Sequence, residues 1–360
     1  MRIRSILLLV LSVLFAWPGR TDAQQAAAKS GKKAEVKIDT TSAPSVEKEK
    51  WGVLDDLKTG LEPTTAFELE ANEQPDFVRE LVRVQWRIAD PIDLWIVRPK
   101  TAGKVPVVLY LYSYLDTGEQ FRDNGWCKRA TANGFAAVGF VSALTDYRFR
   151  FRPLKQWFVS ELPESLGTSV HDVQLTLNYL AGRGDMDVDQ AGMIGIGSGA
   201  SIAILAAQAD RRIKTLDLLD PWGDWQDWLK ESPVVPDEER SKYLAPDFLK
   251  SVATLDPVAY LPSLKGRNLR LQQTLNGPET PKIAKQRIAS AVPDPKQLVQ
   301  YANANDLLKA WETTGLSGWV KQKMRPQSSD GRSDDPSLLT AKRSTQDHLD
   351  SPVSSKENEN

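Results

Sequence analysis

Met193-Ile194-Gly195-Ile196-Gly197-Ser198-Gly199-Ala200-Ser201-Ile202-Ala203 is the stretch whose reading decides the fold. Ala191 to Ile196 upstream has the composition of a buried strand, and Ser198 to Ala207 downstream that of a helix of small and apolar residues. Three glycines at alternate positions join the two. Such spacing suits a sharp turn that packs strand against helix with no room for side chains. A phosphate-binding loop is a poor fit. No lysine follows as in a P-loop, and the third glycine of a dinucleotide fingerprint is missing.

Outward from this turn the pattern alternates. Phe77 to Arg87 and Ile92 to Val97 predict an N-terminal antiparallel hairpin, turned at Ala89-Asp90-Pro91. Val105 to Tyr112 and Phe135 to Val141 are nearly unbroken apolar runs, as in strands buried on both faces of a parallel sheet. Ile213 to Leu219, Leu269 to Leu275 and Gln297 to Tyr301 predict further strands. Helices are expected over Trp126 to Asn133, Ser169 to Leu180 and Asp306 to Met324. The fold class is α/β, a mainly parallel sheet flanked by helices.

The ends read differently. Arg2 and Arg4 precede an apolar run from Ile6 to Trp17, too short for the roughly 20 residues of a membrane span and suited to a secretory signal. Thr21-Asp22-Ala23 sets the expected cleavage after Ala23, giving a signal peptide over 1–23 and an exported protein, periplasmic or secreted. Gln24 to Lys50 reads as a flexible linker, Trp51 to Met324 as the folded domain, and Arg325 to Asn360 as a disordered tail. The chain carries 46 Lys and Arg against 47 Asp and Glu, so nothing in its charge favours capture of nucleic acid or of an anionic membrane. Cys127 is the sole cysteine, which rules out an internal disulfide and a cysteine-based metal site. No cofactor or metal is expected. His171 and His348 are the only histidines.

The glycine-rich turn resembles the nucleophile elbow of the α/β-hydrolase superfamily, whose pattern is G-x-S-x-G. Leu177-Asn178-Tyr179-Leu180 with Asp185 to Asp189, and Asp256 to Pro262, are similar to segments of its dienelactone-hydrolase-like and prolyl-oligopeptidase-like branch. The similarity runs from about Val84 to Trp311. It implies a Ser-acid-His triad, and here the three positions read otherwise. With Gly195 and Gly199 as the flanking glycines, the nucleophile position holds Gly197. The alternative register makes Ser198 the nucleophile but puts Ile196 where only a small residue fits. Asn276-Gly277-Pro278-Glu279-Thr280-Pro281 places Gly277 at the acid position, and Ala304-Asn305-Asp306 places Asn305 at that of the histidine. Asparagine cannot take and return a serine proton, so the three changes are mutually consistent.

The resemblance therefore implies a non-catalytic binding or interaction module with a small-molecule, peptide or protein partner. The alternative is a relocated serine hydrolase using Ser198 with His171, Ser201 or Tyr112 nearby, and Asp220 as acid. For that pair, His171 is expected in the first turn of its helix, at the cleft edge. Asp220 serves equally to cap the turn Pro221-Trp222-Gly223. Tyr112-Ser113 stands where relatives carry an oxyanion-hole loop. Trp222, Trp225 and Trp228 recur at three-residue spacing, either as an aromatic platform lining a ligand cleft with Tyr112 and Ser113 or as a packed lid. Tyr147 to Arg152 alternates aromatic and basic residues, fitting an anion grip or a solvated loop.

Overall fold

Nine described strands build one sheet. They are β1 (Phe67–Glu73), β2 (Phe77–Val84), β3 (Ile92–Pro99), β4 (Val105–Leu111), β5 (Ala136–Phe140), β6 (Met186–Ile196), β7 (Ile213–Leu219), β8 (Asn268–Thr274) and β9 (Leu298–Tyr301). Their spatial order is β1-β2-β3-β5-β4-β6-β7-β8-β9. β1 to β3 pair antiparallel, and β3 meets β5 antiparallel. From β5 to β9 every pairing is parallel. This is the expected α/β class with an N-terminal antiparallel hairpin. The computed structural model describes residues 65–85, 90–113, 118–144 and 161–325. The signal, the linker, Ala89, Tyr147 to Arg152, and the tail beyond Arg325 with His348 lie outside the described residues.

Alternate residues of each strand feed two different cores, because successive side chains point to opposite faces. Val107, Leu109 and Met193 face one core with α2 (Leu162–Arg183) and α3 (Ser198–Ala209). Val108, Tyr110 and Ile194 face the other with α1 (Asn124–Thr131) and α10 (Gly318–Met324). This two-sided burial explains why β4 and β5 are apolar runs rather than alternating ones. β7 nonetheless carries a buried Asp217, whose carboxylate accepts from Arg270 Nη2 at 2.5 Å, Arg270 Nε at 2.9 Å and Gln272 Nε2 at 2.8 Å.

Several expectations need correction. β1 was not anticipated. Its Phe67 is 69% exposed, so the strand forms by pairing with β2 and leaves no buried-face pattern in the sequence. The helix expected from Ser169 begins at Leu162 and ends where Gly184 takes a left-handed φ of 81°. The single closing helix is two helices, α9 (Ala304–Thr314) and α10, broken at Gly315 with φ 72°. Between β7 and β9 lie α4 (Trp225–Glu231), α5 (Asp237–Tyr243), α6 (Pro246–Ala253), α7 (Pro257–Tyr260) and α8 (Lys282–Ala291); except for the Trp225 region, no helix was expected there. No helix among the described residues is long and apolar enough to cross a membrane.

Candidate functional site

The turn between β6 and α3 is closely packed. Gly197 adopts φ 54° and ψ −120°, a region that side chains enter only under strain. A Cβ on Gly195 would stand 2.5 Å from Ala200 Cα, and one on Gly199 would run into the Leu111 carbonyl oxygen. Both flanking positions are therefore closed to any larger residue. The turn is pinned by Gly197 N–H donating to Leu219 O at 2.8 Å, and by Ala200 N–H donating to Gly197 O at 3.1 Å.

The space a side chain on Gly197 would enter is already occupied. A Cβ there would overlap the Ser113 hydroxyl and lie 3.5 Å from Trp222 Nε1. Ser113 follows β4, and Trp222 follows β7, so two strand ends converge above the turn. Trp222 Nε1 donates to Glu279 Oε2 at 3.2 Å. The Glu279 loop is fixed in turn. Ser232 Oγ donates to Glu279 O at 2.7 Å, and Thr280 Oγ1 donates to Pro221 O at 3.3 Å. Burial pushes the Glu279 carboxyl above its usual range and the charge of Asp220 adds to this, while Trp222, Ser113 and Lys285 act against it.

No protein-family model matches the sequence, and no curated protein matches it. Solved structures do. An acetyl xylan esterase from a Thermoanaerobacterium species aligns with a TM-score of 0.56 at 14% identity, covering 75% of this chain and 93% of its own. A second, from a Paenibacillus species, aligns at 0.56 and 14%, covering 76% and 97%. The acylaminoacyl peptidase of Pyrococcus horikoshii aligns at 0.54 and 14%, over 71% of this chain and 43% of that longer one. The fold is that of the α/β-hydrolases.

The turn at Gly197 has the strand-turn-helix geometry expected of the elbow, running from β6 directly into α3. Ser198 is the first residue of α3 and fully buried. Ser201 is buried too, and its Oγ donates to Trp222 O at 2.6 Å. Gly277 lies in the loop after β8. A Cβ there would meet Thr274 Oγ1 and would stand 3.1 Å from Lys285 Nζ, so the loop as packed leaves no room for an acid side chain. Asn305 is exposed in the first turn of α9, and Asn303 is the residue that caps that helix. His171 is halfway along α2, because the helix starts at Leu162. It therefore does not stand in the first turn at the helix start, where it was expected.

Two further expectations change. Asp220 does not cap the turn after it. Its carboxylate reaches sideways to the end of β8, accepting from Thr274 N–H at 3.0 Å and from the Thr274 hydroxyl, with Lys285 Nζ at 3.8 Å. Burial raises the Asp220 carboxyl and lowers the Lys285 ammonium, whose protons go to Thr274 O at 2.5 Å and Gly277 O at 2.8 Å. Trp222, Trp225 and Trp228 do not form an open platform. All three are buried, Trp222 against Trp228 at 4.6 Å and Trp225 edge-on to Trp228 at 5.7 Å. Of the cleft residues proposed, Tyr112 and Ser113 stay half-buried, with the Tyr112 ring stacked on Tyr110.

Glu279 is the residue that sequence reasoning passed over. It is the only acid between Leu275 and Pro281, two residues after the expected acid position at Gly277, and that is the signal in the sequence.

Proposed function

We propose that this chain is an α/β-hydrolase-fold protein without hydrolase activity, acting as a binding or interaction module. The observation that carries the reading is Gly197 at the turn, with the Ser113 side chain overlapping the space a nucleophile's side chain would enter and Trp222 in van der Waals contact with it. The burial of Ser198 at the head of α3 weighs against the neighbouring hydroxyl as a substitute, because a nucleophile must reach its substrate. The mid-helix place of His171 weighs against it as the base. The partner is a small molecule, a peptide or a protein, and an acetylated xylan fragment is a ligand worth trying because two solved neighbours are acetyl xylan esterases.

Incubating purified protein with a panel of short acyl esters tests the reading. It predicts no turnover above buffer. Turnover that disappears in His171→Ala would replace it with the relocated hydrolase.

We also propose that the protein is exported, on the strength of the Ile6 to Trp17 run and the Ala23 site. A reporter active only outside the cytoplasm, fused after Lys50, is expected to be active. An inactive fusion would reject export.

A further inference from the structure

A second concavity lies at the opposite end of the sheet from the elbow. It is an open cleft of about 540 Å³, lined by Asn178, Ala209, Asp210, Arg211 and Arg212. That volume is in the range of small-molecule sites, roughly 300–1,000 Å³. Asn178 comes from the later turns of α2. Ala209 ends α3, and Asp210 to Arg212 lead from it into β7.

The floor of this cleft is built rather than casual. Asp210 is 1% exposed and closes α3, its N–H donating to Ala206 O at 2.8 Å. Its carboxylate accepts from Arg212 Nε at 3.0 Å and Nη2 at 2.6 Å, and from the Arg212 backbone N–H at 2.9 Å. Arg212 Nη2 also donates to Asn178 Oδ1 at 2.8 Å. The Arg212 guanidinium is thus fixed in place, with its Nη1 edge making no hydrogen bond among the described residues. Beneath it, Arg267 Nη1 donates to Asp210 O at 3.3 Å and Ile213 O at 2.5 Å.

Charge at this corner does not balance. Arg211, Arg212 and Arg267 meet one carboxylate, Asp210. The C-terminus of α3 contributes a further ~0.5 negative charge. More than one positive charge is left over. Arg211 is exposed and has no acidic partner within 4.0 Å among the described residues. Burial lowers the Arg267 guanidinium from its ordinary range; the charge of Asp210 acts against this and that of Arg211 adds to it.

We propose that this cleft binds an oxyanion, the phosphate or carboxylate group of a small molecule, between the Arg211 guanidinium and the Nη1 edge of Arg212. Arg211 and Arg212 both line the cleft, Arg212 is held by buried Asp210, and a guanidinium is the side-chain group that grips phosphate or carboxylate oxygens with paired N–H donors. The site is independent of the elbow, so its success or failure leaves the reading of Gly197 untouched.

Calorimetric titration of the full chain with inorganic phosphate, and separately with acetate, at low ionic strength tests the proposal. Saturable binding is expected, weakened about tenfold or more by Arg211→Ala and abolished by Arg211→Glu. Arg211 is exposed, so these variants are expected to melt like the parent, and a melting curve for each checks this. Arg212→Ala strips buried Asp210 of its partner and is therefore not the variant of choice. Binding of phosphate alone assigns the phosphate source, and binding of acetate alone assigns a carboxylate. Absence of saturable binding to either, or an affinity unchanged in a folded Arg211→Glu protein, overturns the proposal.

Discussion

Trp222 and Glu279 are joined across the top of the elbow, indole Nε1 to carboxylate Oε2 at 3.2 Å. One follows β7 and the other follows β8, so the bond ties two strand-end loops together. The Trp222 nitrogen also lies 3.5 Å from the position that a Cβ on Gly197 would take. Ser113, from the β4 end, overlaps that same position, so its side chain and Trp222 plug the space above the turn.

The plug predicts a coupling between Gly197 and Ser113. Gly197→Ala should destabilise the fold by ~2–4 kcal/mol, combining backbone strain at φ 54° with overlap on the Ser113 side chain. In a Ser113→Gly background the overlap is relieved and the strain stays. Urea denaturation of the four proteins should give a coupling of ~1–2 kcal/mol. Equal costs of Gly197→Ala in both backgrounds would show that Ser113 does not fill the space.

Glu279 predicts a pH dependence. Its carboxyl is raised above 4.5 in the folded state, chiefly by burial. Between 4.5 and that raised value the folded protein holds more protons than the unfolded chain, so the stabilising contribution is lost as pH rises through the window. The stability of the parent relative to Glu279→Gln should therefore fall on going from pH 4 to pH 7, measured by urea denaturation at about four pH values. Parallel curves would place the carboxyl in a solvated, ordinary environment.

Lys321 predicts the opposite slope at alkaline pH. It is 5% exposed on α10, with Nζ donating at the C-terminal end of α1 to Arg129 O at 3.0 Å and Ala132 O at 3.3 Å. Burial lowers its ammonium to about 8 from 10.5. Across that window the unfolded chain holds the extra proton, so stability rises with pH. The parent should gain ~1–3 kcal/mol relative to Lys321→Met between pH 8 and pH 10. A flat difference would mean that the amine is solvated.

Much of this architecture was legible because its causes are local. Runs buried on both faces announced β4 and β5, and the spacing of Gly195, Gly197 and Gly199 announced the turn, because packing there excludes side chains. β1 was illegible because its existence depends on pairing with β2 and not on a buried face. The first turns of α2 are poorly legible because Leu162 to Thr168 includes Pro163 and Gly167, residues unfavourable in a helix interior, although Pro163 lies in the first turn where proline is tolerated. The surroundings of the elbow were harder still. That Trp222 points its nitrogen at Glu279 depends on two loops more than fifty residues apart, and no periodicity encodes such a meeting. The tryptophan spacing fits a short helix or turn; only Trp225 and Trp228 lie on α4, Trp222 precedes it, and the packing turns all three inward.

The central claim is that the elbow carries no reactive hydroxyl. Treating the full chain with a fluorophosphonate probe and mapping any adduct by peptide mass spectrometry tests it most directly. The account predicts no adduct at Ser113, Ser198 or Ser201, in the parent and in Ser198→Ala alike. An adduct on Ser198 that disappears in Ser198→Ala would contradict it.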